Sequence, residues 1–342
     1  MVKTDYTVYL SVIDGYVYDF GQNVVDIIYG LQNYDRVILD MVGEGPDFSE
    51  LGITDTIEKI IKTYNVEFGR LVLHTVNLCE SYDKIEVQRF NTLDMDSNTS
   101  SIPAVLGEPF KYSNVSSSHN RDISKHFGCF VGRSNYSRLA IASHLHKHHR
   151  NLTDMTYHLD PTSDYHKSHI GIEKLMHFFG SDSDIVKNSF DFLPATPITL
   201  ADQTITEFPI VNLPDISNNL TERYKHIFLD VVCETYITGN TKFYTEKTVR
   251  CFATKTPFIL VGPKNILSRL HDNGFKTFDR WWNESYDEDG EQHRIKSVIN
   301  LLDELSKLTL DEMQCMYKEM QGVLDHNYNR FTDILFNGKR YS

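Results

Sequence analysis

The chain has 342 residues, 40% of them hydrophobic, and a net charge of −13, a composition typical of a folded protein with room for two domains. The acidic balance argues against nucleic-acid binding by the protein as a whole, although a local basic groove is compatible with it. No apolar run has the length of a membrane span, and residues 1–20 lack the regions of a signal peptide. Five scattered cysteines without a Cys-x-x-Cys pair fit a reducing compartment, so we expect a cytoplasmic protein without disulfides.

The first half of the chain alternates apolar strand patterns with amphipathic helix patterns. The predicted elements are strands at 6–12, 36–41, 71–75 and 85–90 and helices at 22–30 and 53–64. Such alternation is typical of a parallel sheet with helices on both faces. The next segment, 91–120, is rich in Ser, Asn and Pro, which predicts a loop and an interdomain linker.

Acidic residues follow two of these strands. Glu44 lies in a Gly-Glu-Gly-Pro turn after the second strand, and Glu80 follows the third. Because the carboxyl ends of strands face the cleft in open α/β sheets, each is a candidate general base. Each could equally be an ordinary turn or cap acid. In the linker, Asp94 and Asp96 form an Asp-x-Asp pair, whose oxygens suit Mg²⁺ or Mn²⁺, although short acidic pairs are common in loops.

The second half restarts the alternation. The predicted elements are strands at 127–131, 224–232 and 257–261, helices at 136–146, 170–179, 265–273, 293–306 and 310–335, and an irregular, Pro-punctuated segment at 194–214. The run His-Leu-His-Lys-His-His-Arg at 144–150, with Lys125, Arg133 and Arg138, is the densest basic cluster. It could face a phosphorylated ligand or a polyanion, or be a solvated helix end. As a metal site, the run lacks an acid or cysteine at a known spacing.

The most informative segment is 234–250, which reads ETYITGNTKFYTEKTVR and lies between two predicted buried strands. Its Thr245, Glu246 and Lys247 read as the start of a helix. A helix start at the carboxyl end of a parallel sheet suits a diphosphate, and Lys247 can add a point charge to it. Glu246 can accept the hydroxyls of a ribose. The alternative is a capping threonine followed by first-turn charges without a ligand.

This segment, with the strands around it, resembles the donor-binding motif of the α1,3-fucosyltransferases. The resemblance covers YKHIFLDVVCETY and FYTEKTVRCFATKTPFILVGP, and it extends more broadly to the C-terminal half of GT-B glycosyltransferases. The segment HFGCFVGRSNYSRLAIASHL at 126–145 resembles the strand, Gly-Arg turn and helix that open such a donor domain. The segment 262–288 is similar to phage and bacterial relatives of this group.

Carried over residue by residue, the resemblance matches Glu234 to the acid of Phe-Glu-Asn, Glu246 and Lys247 to the Glu-Lys pair, and Arg133 to the phosphate-binding arginine. Thr235 replaces the family's Asn, and Phe243 replaces its Tyr. The loop before Glu246 is also two residues longer than expected. The donor-binding residues that follow are Arg133, Arg138, Glu234, Tyr236, Tyr244, Thr245, Glu246 and Lys247.

The resemblance implies an α/β fold with two Rossmann-like domains that face a cleft. We expect an acceptor-side domain at 1–120, a nucleotide-sugar domain at 121–325, and a C-terminal helix at 326–342 that crosses back to the first domain. Transfer would be inverting and metal-independent, with Glu44 or Glu80 as the base. The acceptor would be a glycan, a lipid-linked saccharide or a hydroxymethylated base of phage DNA. The alternatives are a non-catalytic carbohydrate- or nucleotide-binding protein and a metal-dependent GT-A enzyme that uses Asp94 and Asp96.

Overall fold

The computed structural model describes residues 4–13, 16–42, 47–78, 82–90, 121–158, 168–199, 223–242 and 244–337. The chain forms two compact units. One comprises Met1–Ala104 with Thr238–Tyr244, and the other comprises Val105–Ile237 with Thr245–Ser342. The predicted boundary at residue 120 falls outside the described residues and stays a prediction. None of the described helices combines the length and apolar character that crossing a bilayer requires.

The first unit contains a four-stranded parallel sheet of order β1-β4-β5-β6 and a short β2-β3 hairpin. In chain order its described elements are β1 (Asp5–Tyr9), β2 (Val12–Ile13), β3 (Tyr16–Val17), α1 (Phe20–Asn33), β4 (Arg36–Asp40), α2 (Thr54–Thr63), β5 (Leu71–Thr75) and β6 (Ile85–Arg89). The predicted strand at 6–12 is therefore interrupted after Tyr9.

The core of the first unit forms because its central strands are apolar on both faces. Leu71 and Val72, successive residues of β5 that point to opposite faces of the sheet, are both fully buried, as helices that cover a parallel sheet require. Helix α1 lies close to the sheet at Gly30, where an added Cβ would lie 2.7 Å from the ring of Tyr6. Glycine is required there by this close approach.

The segment Thr238–Tyr244 belongs to the first unit through backbone hydrogen bonds beyond the end of β5. The N–H of Leu78 donates to the carbonyl of Asn240 over 2.6 Å, and the N–H of Lys242 donates to the carbonyl of Val76 over 2.9 Å. Between these two hydrogen bonds, Asn77 and Thr241 form an antiparallel β-bridge. Part of the loop before Glu246 is therefore used in a strand-like pairing.

The second unit also contains a four-stranded parallel sheet, in the order β10-β9-β7-β8. In chain order its described elements are β7 (Lys125–Val131), α3 (Tyr136–His148), β8 (Thr153–Tyr157), α4 (Ser168–Phe179), α5 (Asp184–Phe192), β9 (Ile227–Cys233), α6 (Glu246–Ala253), β10 (Phe258–Val261), α7 (Ile266–Asp272), α8 (Glu291–Leu305), α9 (Leu310–Glu319) and α10 (Gln321–Asn337).

The strand order of the second sheet reverses between β7 and β9. From β7 the chain goes to β8 on one side, and the later strands β9 and β10 lie on the other side. In open parallel sheets, ligands bind beyond the carboxyl ends of the strands at such a reversal. A ligand site is therefore expected at the loops after β7 and β9. The molecule is thus an α/β protein with two parallel sheets of four strands each.

One predicted element of the second unit differs from the structure, and two observed elements were not predicted. The predicted helix at 310–335 is two helices, α9 and α10, separated at Met320. Strand β8 and helix α5 were not predicted. Strand β8 reads TDMTY, which is too polar to indicate a strand, yet all but one of its residues are buried in the structure.

Helix α10 packs within the second unit. Lys255 pairs with Asp325 over 2.8 Å, and the ring of Phe331 lies 6.4 Å from that of Phe252 on α6. The guanidinium Nε of Arg330 donates to a backbone carbonyl after α7 over 2.9 Å. The described part of the C-terminal segment is therefore held by its own unit. Its predicted crossing to the first domain stays a prediction, and residues 338–342 lie outside the described chain.

Candidate functional site

The candidate site lies in the second unit, where the loop after β7 meets the loop after β9. The amide Nδ2 of Asn135 donates to the carbonyl of Thr235 over 3.2 Å. The guanidinium Nε of Arg138 donates to the carbonyl of Cys233, the last residue of β9, over 3.2 Å. These two bonds cross-link the loops that the strand reversal brings together.

Helix α3 begins at this site because Asn135 caps it. The side-chain Oδ1 of Asn135 accepts from the backbone N–H of Arg138 and from the hydroxyl of Ser137, each over 2.9 Å. Asparagine is a preferred N-cap because its oxygen satisfies a helix N–H that has no partner within the helix. Both ends of the Asn135 amide are therefore used, one on the helix and one on the neighbouring loop.

Arg138 was predicted to bind the donor, which stays a prediction; in the structure its side chain makes hydrogen bonds to the protein itself. The residue is 2% exposed. Besides its bond to Cys233, it donates through NH1 to the carbonyl of Arg133 over 3.0 Å and lies 3.5 Å from the Thr235 hydroxyl through NH2. Its donors are directed at protein oxygens, so it holds the two loops in place. Arg133, the other predicted arginine, is partly exposed in the loop after β7.

Glu234 is buried directly after β9, where its carboxylate receives three hydrogen bonds from the start of α6. Its Oε1 accepts from the backbone N–H of Thr245 over 3.0 Å and from the Thr248 hydroxyl over 2.5 Å. Its Oε2 accepts from the Thr245 hydroxyl over 2.6 Å. A buried carboxylate requires such partners. Glu234 was expected to orient the transferred sugar or its phosphate clamp, which stays a prediction; in this structure its carboxylate positions the first turn of α6.

The predicted helix start at Thr245, Glu246 and Lys247 is present in the structure. Helix α6 begins at Glu246, and Thr245 is its N-cap. The Thr245 hydroxyl oxygen lies 3.3 Å from the backbone N of Lys247 and 3.2 Å from its Nζ. The ammonium group therefore turns back over the amino end of the helix. The side chain of Glu246 lies outside the described part of the structure.

Two cations from different helices act on the same group at the end of β9. Burial raises the pKa of the Cys233 thiol to about 12, and the positive charges of Arg138 and Lys247 both oppose that rise. Arg138 comes from the loop side of α3, and Lys247 comes from the first turn of α6. The carboxylates of Asp230 and Glu234 raise the same pKa, so the carboxyl end of the central strand gathers charges of both signs.

The two predicted tyrosines are buried. Tyr236 is 5% exposed and Tyr244 is 0% exposed. Neither ring therefore offers a solvent-facing surface for stacking in this conformation. The predicted acids Glu44, Glu80, Asp94 and Asp96 lie outside the described residues, so their roles stay predictions.

Sequence reasoning missed Arg294, which is buried on α8 and holds the neighbouring loops. Its NH1 donates to the carbonyl of Ile237 over 3.1 Å and also to the carbonyl of Gly262. Its NH2 donates to the carbonyl of Asp289 over 2.5 Å. Burial lowers the pKa of Arg294, against the nearby charge of Asp287. Helical periodicity places Arg294 on an apolar face, and no local motif indicates which loops it joins.

Glu284, in the segment between α7 and α8, gives a prediction on pH. Its carboxyl accepts from the backbone N–H of Phe278 over 2.9 Å, and burial raises its pKa to about 7. A carboxyl whose pKa is raised on folding contributes stability below its unfolded pKa, and that contribution is lost as the pH rises through about 7. The variant Glu284→Gln mimics the neutral form and does not titrate. From pH 5 to pH 8 the wild type should therefore lose stability relative to the variant, and the difference between their free energies of unfolding should shift in favour of the variant.

The measurement is urea denaturation at a series of pH values. The exposed neighbour Glu288 provides the matched control. The difference in free energy of unfolding between Glu288→Gln and the wild type should change little over the same pH range. If the free energies of unfolding of Glu284→Gln and the wild type changed with pH in parallel, the prediction would be contradicted.

Comparisons with known proteins assign no family to the chain. No protein-family model matches it, and no curated protein matches it either. What the protein does is therefore inferred from the residues at the ends of β7 and β9.

Proposed function

We propose that the protein is a glycosyltransferase that moves a sugar from a nucleotide-sugar donor to a hydroxyl acceptor, with the donor in the second unit. The observation that carries the proposal is the convergence of two features: the capped amino end of α6 with Lys247 in its first turn, and the loop after β7, which Arg138 holds to the end of β9. This convergence occurs where the strand order reverses, which is the usual ligand position in such sheets.

The electrostatics of the α6 start favour an anion. The amino end of a helix carries a partial positive charge and attracts negative charge. Lys247 adds an ammonium at that end, and the carboxylate of Glu234 places one negative charge there through its hydrogen bonds to Thr245 and Thr248. A diphosphate would complement both Lys247 and the helix end.

In the proposed mechanism, the helix start stabilises the leaving group. Negative charge grows on the nucleoside diphosphate as the bond to the sugar breaks. Lys247 and Arg133 would neutralise that charge, and fixed donors directed at developing charge lower the barrier without requiring a metal. Glu246 would accept the ribose hydroxyls. Arg138 and Glu234 would hold the loops and the helix in position.

The acceptor half of the reaction also belongs to the proposal. Inverting transfer requires a base that removes the proton of the acceptor hydroxyl, and Glu44 and Glu80 remain the candidates. A saccharide acceptor and a hydroxymethylated base in DNA can be separated by a mobility-shift assay on modified duplex DNA at low salt. A DNA acceptor should retard the duplex, and retardation should weaken as salt rises.

A thermal-shift screen across nucleotide sugars tests the proposal. A donor that binds the folded state raises the Tm by mass action, by about 2.7 kcal/mol of stability at a hundredfold excess over Kd. One nucleotide sugar should therefore stand out by several degrees, and the matching nucleoside and inorganic phosphate should shift the Tm much less. No shift with any nucleotide sugar would contradict the proposal.

Release of the nucleotide separates an enzyme from a binding protein. With the donor identified, slow hydrolysis in the absence of acceptor should liberate the nucleoside diphosphate. A protein that only binds carbohydrate or nucleotide should give the same thermal shift without product.

A further inference from the structure

A second cluster of polar side chains lies at the opposite end of α3 from the candidate site. It contains His144 in the second half of α3, His149 directly after the helix, and Asp303 on α8. The Nε2 atoms of the two imidazoles lie 2.8 Å and 2.6 Å from the same carboxylate oxygen, Oδ1 of Asp303. The three potential ligand atoms all lie within 4.8 Å of one another.

The fold brings these residues together in two steps. The N–H of His149 donates to the carbonyl of Leu145 over 2.9 Å, so His149 follows directly on the last turn of α3 and lies five positions after His144. The sequence alone offers no acid near this histidine run. Helix α8 supplies one, because Asp303 lies 154 to 159 positions along the chain from the two histidines.

The donor set has the chemistry of a transition-metal site. Two imidazole nitrogens with one carboxylate oxygen suit Zn²⁺, whereas Mg²⁺ prefers oxygen ligands alone. Catalytic and other open zinc sites use three protein ligands and leave a further position for water. Asp303 has a side chain that is 45% exposed, so solvent has access to that position.

The distances require only a small adjustment. Tetrahedral zinc with bonds of about 2.0–2.1 Å keeps its ligand atoms about 3.3 Å apart. The present nitrogen–oxygen separations are 2.6 Å and 2.8 Å, so the carboxylate would have to withdraw slightly. The two imidazole ligand atoms lie within 4.8 Å of each other, and in a tetrahedral site they would also have to take a separation of about 3.3 Å. The side chains of His144 and His149 are 10% and 12% exposed, so the more exposed carboxylate has the greater freedom to move.

We propose that His144, His149 and Asp303 bind one Zn²⁺ ion that joins α3 to α8. Helix α3 has 13 residues, so its length of about 20 Å separates this cluster from the donor site at the amino end. The ion would therefore stabilise the second unit and take no part in transfer. This inference does not rest on the proposed function.

The test begins with protein that has been treated with a chelator and desalted. Zn²⁺ titrated into the wild type should bind at one equivalent with the highest affinity and raise the Tm, and Mg²⁺ should not raise it. Asp303→Asn and His149→Gln should each weaken that binding by more than roughly tenfold. Both substitutions keep a polar group of similar size, and circular dichroism checks that both variants fold.

Matched controls lie on α8 itself. Glu304 and His293 are exposed on the same helix, so Glu304→Gln and His293→Gln remove the same group types from outside the cluster. Both should bind Zn²⁺ as the wild type does. Because other histidines of the chain can bind zinc weakly, the comparison between these pairs of variants is decisive.

A spectrum provides a readout that does not depend on any variant. Co²⁺ in place of Zn²⁺ should give the intense visible absorption of a tetrahedral site in the wild type. Zinc that leaves the Tm of the wild type unchanged would overturn the proposal. Equal affinity of Asp303→Asn and Glu304→Gln would do the same, and the cluster would then be a hydrogen-bonded contact only.

Discussion

Replacing Lys247 with alanine should weaken binding of the nucleotide-sugar donor by roughly 10- to 100-fold. A hydrogen bond to a charged group contributes about 1.5–3 kcal/mol, and each 1.4 kcal/mol changes Kd tenfold. The fold should be unaffected, because Lys247 is partly exposed and Thr245 still caps α6 without it. Calorimetry with the donor found by thermal shift gives the affinity, and transfer should fall in parallel.

Two further variants make this result specific. Glu246→Ala, in the first residue of α6, should also weaken donor binding if it contacts the ribose. Lys296→Ala removes an exposed lysine from α8 and should leave the affinity unchanged. Wild-type affinity in both Lys247→Ala and Glu246→Ala would exclude the helix start as the donor site.

Replacing Glu234 with alanine should lower the free energy of unfolding of the second unit by roughly 2–4 kcal/mol. The change removes one buried acceptor group and leaves three donors at the start of α6 without it, and an unsatisfied buried group costs about 1–3 kcal/mol. Hydroxyl groups can rotate toward other partners, whereas the backbone N–H of Thr245 cannot. The loss should therefore lie well below the sum of three such costs.

Urea denaturation followed by tryptophan fluorescence measures this loss. The two tryptophans of the chain, Trp281 and Trp282, both belong to the second unit, so their emission reports on its unfolding. Glu173→Ala removes an exposed carboxylate from α4 and provides the control, with an expected change within about 0.5 kcal/mol. A Glu234→Ala variant as stable as that control would show that the capping bonds contribute nothing measurable.

The two substitutions also separate two roles at one site. Lys247→Ala should change affinity at nearly constant stability. Glu234→Ala should lower stability directly. It should lower donor affinity only indirectly, because the start of α6 is displaced. Loss of affinity in a fully stable Glu234→Ala variant would instead indicate direct contact between that carboxylate and the donor.

Much of the sheet structure could be predicted from residue patterns. Strands β4, β5, β7 and β9 are short apolar runs between polar segments, and burial on both faces of a parallel sheet requires that composition. Strand β8 could not be predicted in this way. Its residues are polar enough to suggest a loop, and only its place beside β7 buries them.

The start of α6 shows how local signals succeed. Thr245 caps the helix, because a threonine oxygen can reach an N–H two residues along the chain whatever the rest of the protein does. Such signals depend on a few neighbouring residues, so the sequence contains all the information they need.

By itself, the sequence determined the alternation of strands and helices, the parallel α/β class of both halves, and the capped helix start with Lys247 in its first turn. Only the tertiary structure decided that Arg138 holds loops in place, that Glu234 serves α6, and that Asp303 joins His144 and His149. The physical reason is range: caps and periodicity act over one or two turns of the chain. The partners of a buried charge are set by which distant segments pack against it.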